Sequence, residues 1–267
     1  MLITVITINR NNLSSLERTA ISVLSQSLYD FEYVIVDGNS DDGSAEYLNE
    51  HLNDDRVLWI SEPDGGIYNA MNKAVRMSSG EYLLFLNSGD TFASPDVLSH
   101  ITGNLFDADI VVGRVNVVDG DVVVRQSKLL DANDLHLFSM YLQGIPHQAA
   151  FIRRTLMLEH PYDESLKINS DWKFFVETIV LENRPVKLIS DIVANYDNAG
   201  LSSTHMDLLL AERERVFREL IPPRIADDYL AVFPHYYEVK RVSWLLKHPF
   251  FYKVYRSIAT LGMKILK

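Results

Sequence analysis

The chain has 267 residues, 47% of them hydrophobic and 23% charged, which suits one large domain with an appendage and excludes a disordered chain. It has no cysteine, which excludes a disulfide scaffold, a thiol nucleophile and Cys-ligated metal sites, and which fits a reducing cytoplasm. The net charge of −11 is uneven: the stretch after Glu238 holds seven cations and no acid, so the remainder carries −18, a balance that disfavours nucleic acid as a partner.

Leu2 to Ile8 is short, apolar and β-branched, as a buried parallel strand is, and lacks the basic flank of a signal peptide. Leu13, Leu16, Ala20, Val23 and Leu24 then recur at helical spacing. Phe31 to Val36 reads as a second strand, running into the polar loop 37–43, and Ser44 is placed to cap the next helix. Val57 to Ile60 is a third strand and Gly66 to Met77 a helix with Ile67, Ala70, Met71 and Ala74 on one side. Tyr82 to Leu86 is a fourth strand that leads into Asn87-Ser88-Gly89-Asp90. This alternation predicts βαβ units and a mostly parallel α/β sheet. Ligands sit beyond the carboxyl ends of such strands, so the polar clusters beginning at Asn9, Asp37, Glu62 and Asn87 should converge on one edge.

The pattern changes after about residue 108. Ile110 to Val112, Val115 to Val118 and Val122 to Val124 are short β runs, with Asp119-Gly120 as a hairpin signal. Asp131 to Leu142 and Ser170 to Leu181 read as helices, with Ser170 in a capping position. Val186 to Ile189 and Ile192 to Tyr196 read as strands, and His205 to Leu220 as a helix with a charged face. Pro222-Pro223 stops it and divides a domain over 1–221 from a basic, aromatic helical extension over 222–267. No stretch reaches the ~18 apolar residues that span a bilayer.

Several of these residues suit chemistry. Acids in the loop 37–44 can accept hydrogen bonds from a base imide or ribose hydroxyls, and they serve equally well as turn and cap residues. Asp90, just past a buried strand, suits Mg²⁺ or Mn²⁺, which take oxygen ligands and keep substrate phosphates in their shell; an Asx turn is the plainer reading. Asp171 is favourable simply as a charge at a helix start. His147 and Gln148, after Pro146, suit contact with an acceptor or phosphate; the imidazole could equally reach a metal or be a buried structural histidine. Neither G-x-x-x-x-G-K-[ST], G-x-G-x-x-G nor H-E-x-x-H occurs, so P-loop, dinucleotide and zinc-protease chemistry lack support.

Four segments in order carry a family pattern: Thr7-Ile8-Asn9, then 36–44 (VDGNSDDGS), 62–74 (EPDGGIYNAMNKA) and 80–90 (GEYLLFLNSGD). Together they resemble the inverting nucleotide-sugar glycosyltransferases of family 2, which have the GT-A fold. Weaker matches at 146–148, 170–172 and 200–203 extend the likeness to about residue 204. The resemblance implies a nucleotide-sugar-binding half over 1–108 and an acceptor half over 109–221. It implies that Thr7, Asn9 and Asp37 hold the nucleotide, with Asp64, Asn72 and Lys73 near the nucleotide-sugar. Asp90 would be the last acid of the metal-binding D-x-D element and Asp171 the general base, in a single displacement assisted by Mg²⁺ or Mn²⁺. The implied donor is a nucleoside-diphosphate sugar, and the acceptor a carbohydrate or lipid-linked sugar in surface polysaccharide or glycolipid assembly. Two departures stand out. Asn87 and Gly89 occupy places that usually carry acids, and Met71 stands where many relatives have arginine, leaving Lys73 as the substitute cation.

A non-catalytic nucleotide-sugar-binding or scaffold protein of the same fold is the alternative, on the strength of the sparse acids at 87–90. A sugar-phosphate nucleotidyltransferase would want a glycine-rich loop after the first strand, where Asn9-Arg10-Asn11-Asn12 stands instead. In the extension, a helix over 252–267 would bring Lys253, Arg256, Lys264 and Lys267 within about 80° of one another. That face over 240–267 suits an anionic membrane surface at the inner side of the cell membrane; a packing or homodimer helix is the other reading.

Overall fold

The computed structural model describes residues 1–105, 107–120, 122–197, 205–236, 238, 241, 244 and 247–265, with side chains up to 259. Four strands open the chain: β1 (Ile3–Asn9), β2 (Glu32–Asp37), β3 (Val57–Ser61) and β4 (Tyr82–Phe85). They pair in parallel in the order β3-β2-β1-β4. Helices α1 (Leu13–Leu24), α2 (Ser44–His51) and α3 (Ile67–Met77) make the crossovers. Every residue of β1, β2 and β4 is buried, which is why these strands read as unbroken apolar runs rather than alternating ones.

Beyond β4 the sheet continues without a break. β5 (Thr91–Phe92), α4 (Val97–Ile101), β6 (Ile110–Asp119), β7 (Val122–Gln126) and α5 (Leu137–Leu142) come first. β8 (Ala150–Arg153), α6 (Arg154–Glu159), α7 (Ser170–Phe175) and β9 (Val186–Asp197) follow. Among the described residues the nine strands form one sheet, β3-β2-β1-β4-β8-β6-β9-β5, with β7 paired to β6. β8 is antiparallel to both β4 and β6, and so joins the parallel half to the rest. One apolar cluster runs from Val23 and Tyr33 through Leu84 to Val111 and Phe151, so both halves share a core.

Several expectations need correction. The runs at 110–112 and 115–118 are one strand, as are those at 186–189 and 192–196. The pairing of β6 with β9 shifts register twice, across Gly113 and again between Arg114 and Val115. A Cβ at Gly113 would collide with the Val193 side chain and the Asp191 carbonyl, so the irregular crossing depends on glycine. The expected helix at 131–142 divides at the extended residue His136 into a 3₁₀ turn, Ala132–Leu135, and α5. Ser44 and Ser170 are first helical residues rather than caps: Gly43 and Asn169 precede them, and Ser44 Oγ donates to Asp42. The helix from Ser170 passes into a π-helix over Val176–Leu181.

The chain forms two compact units, 1–216 and 217–267. The last helices are α8 (Met206–Leu220), α9 (Pro223–Val232) and α10 (Pro249–Ile265). In the second unit Phe217 packs against Tyr229 and Phe233 with ring centroids 6.0 and 5.6 Å away. No described helix is long and apolar enough to cross a membrane.

Candidate active site

Parallel strands deliver the loops after them to a single edge. The register sets Asn9 opposite Asp37 and Asp37 opposite Ser61. Asn9 Nδ2 donates to Asp37 Oδ1 at 2.8 Å, while Asn9 Oδ1 accepts from Ser88 Oγ at 2.9 Å, which links the loop after β2 to the one after β4. Asp37 is fully buried and also accepts from Ser40 N and Oγ and from Ser61 Oγ at 2.6–2.9 Å. Burial pushes its carboxyl up, but these bonds together outweigh it and hold the pKa below the ordinary value.

The remaining nucleotide candidates are equally engaged. Thr7 Oγ1 donates to the Leu86 carbonyl at 2.6 Å and accepts from Tyr33 at 3.0 Å. Asp64 accepts from Gly66 N at 2.9 Å and lies 3.7 Å from the Arg10 guanidinium. It fits there because Gly38 has no side chain to collide with it. Asn72 bridges to the backbone of Tyr162 through both amide atoms and reaches Glu164 at 2.9 Å. Lys73 Nζ is held by Glu62 at 2.8 Å and by the Pro63 carbonyl at 2.9 Å.

A cavity of about 450 Å³ lies over this edge. Asn87, Asp90, His147, Gln148 and Asp171 line it, with Met71 and the cations Arg10 and Lys167. A second cavity of about 380 Å³ is lined by Val115, Val117, Ile145 and Pro146, with Arg125 and Lys128 as cations. His147, Gln148, Asp171 and Tyr196 line both and so form the wall between them.

Asp171 stands in the first turn of α7. Its Oδ1 accepts from Trp172 N at 2.8 Å and lies 3.3 Å from the Tyr68 hydroxyl, and its Oδ2 meets His147 Nδ1 at 2.9 Å. Burial opposes charge on His147, yet the hydrogen bond and charge of Asp171, with Asp90 beyond, raise its pKa. Asp90 accepts from Asp197 N at 3.2 Å and from Gln148. Burial pushes its carboxyl up to about 7, against the opposing pull of His147. The loop before α7 is clamped by Glu212 on α8, whose carboxylate accepts the N–H groups of Lys167, Ile168 and Asn169 at 2.8–3.2 Å.

Of the residues singled out from the sequence, Asp90, His147, Gln148 and Asp171 line the cavities. Thr7, Asn9, Asp37, Asp64, Asn72 and Lys73 line neither and tie together the elements around them. Met71 faces the larger cavity, and the cations there are Arg10 and Lys167 rather than Lys73. Arg10 stood in plain view just after β1, but nothing local marks Lys167, whose place is set by the distant Glu212. Among the described residues no group of three or more His, Asp or Glu could hold a metal ion unaided.

A mixed sheet with helical crossovers, and acids at the carboxyl edge of its parallel half, is the GT-A architecture of nucleotide-sugar-dependent transferases. A mannosyltransferase from Pyrobaculum calidifontis, solved with GDP-Man and Mn²⁺, superposes with a TM-score of 0.64 at 18% identity, covering 98% of this chain and 80% of that one. The chain belongs to glycosyl transferase family 2, whose profile matches residues 4–158. An uncharacterized glycosyltransferase of Mycobacterium tuberculosis is 32% identical over 214 residues, 75% of this chain and 77% of the relative. A PGL/p-HBAD biosynthesis glycosyltransferase of Mycobacterium bovis is 30% identical over 192 residues, 70% of this chain and 73% of the relative.

Proposed function

We propose that this glycosyltransferase moves a sugar, with inversion, from a nucleoside-diphosphate donor to an acceptor hydroxyl in the assembly of a surface polysaccharide or glycolipid. The observation that carries the reading is the shared wall: Asp171 faces both the strand-end cavity and the cavity beside Val115 and Ile145. The donor fills the first and the acceptor, a carbohydrate or lipid-linked sugar, the second. The relative named for PGL/p-HBAD biosynthesis supports a glycolipid or polysaccharide product, and the mannosyltransferase solved with GDP-Man supports a nucleoside-diphosphate donor. Such a donor, with the absence of cysteine, favours a cytoplasmic reaction.

Asp171 is the general base. Trp172 N–H fixes Oδ1 and His147 steadies Oδ2, so the carboxylate is oriented before substrate arrives. The acceptor hydroxyl gives it a proton while its oxygen attacks the anomeric carbon from the side opposite the diphosphate. One in-line displacement inverts that carbon, as in inverting glycoside chemistry, and needs no covalent enzyme intermediate. Arg10 and Lys167 supply positive charge beside the diphosphate.

The residues around Asp90 fit a divalent cation. Asn87 Oδ1 and His147 Nε2 are buried without a hydrogen-bond partner and line the same cavity as Asp90. With its Nδ1 proton donated to Asp171, His147 presents a lone pair at Nε2. One carboxylate, one amide oxygen and one imidazole would hold Mg²⁺ or Mn²⁺, with substrate phosphates and water completing the shell. When bound, the ion neutralises charge on the leaving diphosphate.

Calorimetric titration with UDP, GDP, dTDP and ADP, with and without Mn²⁺, tests the donor half. One nucleotide should bind tightly, more so with metal, and less well to Asp90→Ala. Asp171→Asn should keep that affinity and lose about 10²–10⁴-fold in turnover, the usual worth of a positioned base. Turnover that survives intact removes Asp171 from the mechanism, and a folded protein that binds none of the four points to a non-catalytic scaffold.

A further inference from the structure

Helix α10 has two unlike sides. At 100° per residue, Phe250, Phe251, Val254, Tyr255 and Ile258 occupy about 140° of arc. All five are exposed, Phe250 by 73% and Ile258 by 66%. Lys253 and Arg256 fall outside the arc, with Lys253 roughly 60° from its Phe250 edge. In the sequence, Leu261 and Ile265 continue the apolar spacing and Lys264 the cationic one. Trp244, half exposed, lies 5.5 Å from Phe251 and adds to the aromatic surface.

The charge pattern narrows what can cover this face. The stretch after Glu238 carries seven cations and no acid, so its sequence is strongly basic. An anionic surface is complementary to that charge. A second copy of the same tail brings only more cations. Phenylalanine and tryptophan suit the boundary between headgroups and acyl chains, and lysine and arginine stems can lie along it with their charges in the headgroups.

We propose that α10 is an interfacial anchor: it lies on an anionic lipid bilayer with Phe250, Phe251, Val254 and Ile258 in the headgroup–acyl boundary and its cations among the lipid phosphates. The full-length protein is floated with vesicles of phosphatidylcholine alone and with vesicles containing about one third phosphatidylserine. Binding should be confined to the anionic vesicles and should weaken with added salt. Lys253→Gln with Arg256→Gln should lower partitioning about thirty-fold, and Phe250→Ser with Ile258→Ser on the order of a hundred-fold. These side chains are exposed, so thermal melting of the variants should match the parent. Flotation with neither vesicle overturns the proposal, as does equal flotation with both that ignores the cation substitutions. A dimer seen by sedimentation equilibrium, dissolved by Phe250→Ser with Ile258→Ser and without vesicle binding, makes a second copy the occupant instead.

Discussion

Asp90 sits in the turn between β4 and β5 with 6% of its surface exposed, and loss of water there pushes its carboxyl up to about 7. The consequence for stability has a definite sign. Below the ordinary value of 3.8, folded and unfolded chains both carry the proton and burial of this group costs little. Between 3.8 and about 7 the unfolded chain ionises while the folded one holds its proton, so stability falls as pH rises through that window. Asp90→Asn should therefore raise the Tm at pH 8, with the gain vanishing towards pH 4. Proton and metal compete for the same carboxylate, so Mn²⁺ with nucleotide should raise the wild-type Tm more at pH 8 than at pH 6. Asp90 and Asp171 stood out only through the family resemblance, since alone each reads as a turn or helix-start acid; both line the larger of the two cavities. The engagements of Asn72 and Lys73 were not legible in the sequence. Their spacing shows two polar residues on a helix near a glycine turn, whereas the Tyr162 backbone that holds Asn72 lies 90 residues along the chain.

The elements around Asp171 depend on one carboxylate from outside the matched motifs. Glu212 is buried and takes three successive backbone N–H groups from the loop that leads into α7. In Glu212→Gln, one accepting oxygen becomes an amide that can only donate, leaving a buried N–H unpaired. A loss of about 1–3 kcal/mol in urea unfolding is expected. Because that loop carries Lys167 to the donor cavity and leads into Asp171, both nucleotide affinity and kcat should fall; unchanged nucleotide affinity would mean that the clamp serves Asp171 alone. The strands missed from the sequence share a cause. β5 has two residues, and β8 has four, directly after the polar turn His147–Ala149, too short for a period of two to show. β6 looked like two strands because Gly113 interrupts its apolar run where β9 crosses closest. Parallel pairing near the N-terminus was legible for the opposite reason: full burial writes itself as composition.

For the whole molecule, the unit over 1–216 has an extensive apolar core, while among the described residues of 217–267 Phe217, Tyr229 and Phe233 pack ring on ring. Local opening costs least where few apolar groups are covered. Amides of Ile6, Val34 and Leu84, in fully buried central strands, should exchange with solvent only on global unfolding, while those of α10 in free protein should exchange orders of magnitude sooner. Comparable protection in both would mean that α10 is packed more firmly than its exposed side chains indicate.

The seam at β8 has a kinetic consequence. Because β8 bonds to β4 on one side and to β6 on the other, the two halves of this unit are joined by ladder hydrogen bonds and not by a linker. A hinge there would have to break the ladder. No clamshell closure between the halves is therefore expected when nucleotide binds. Whatever gates turnover works at the scale of single loops, and a crystal soaked with nucleotide should keep its lattice.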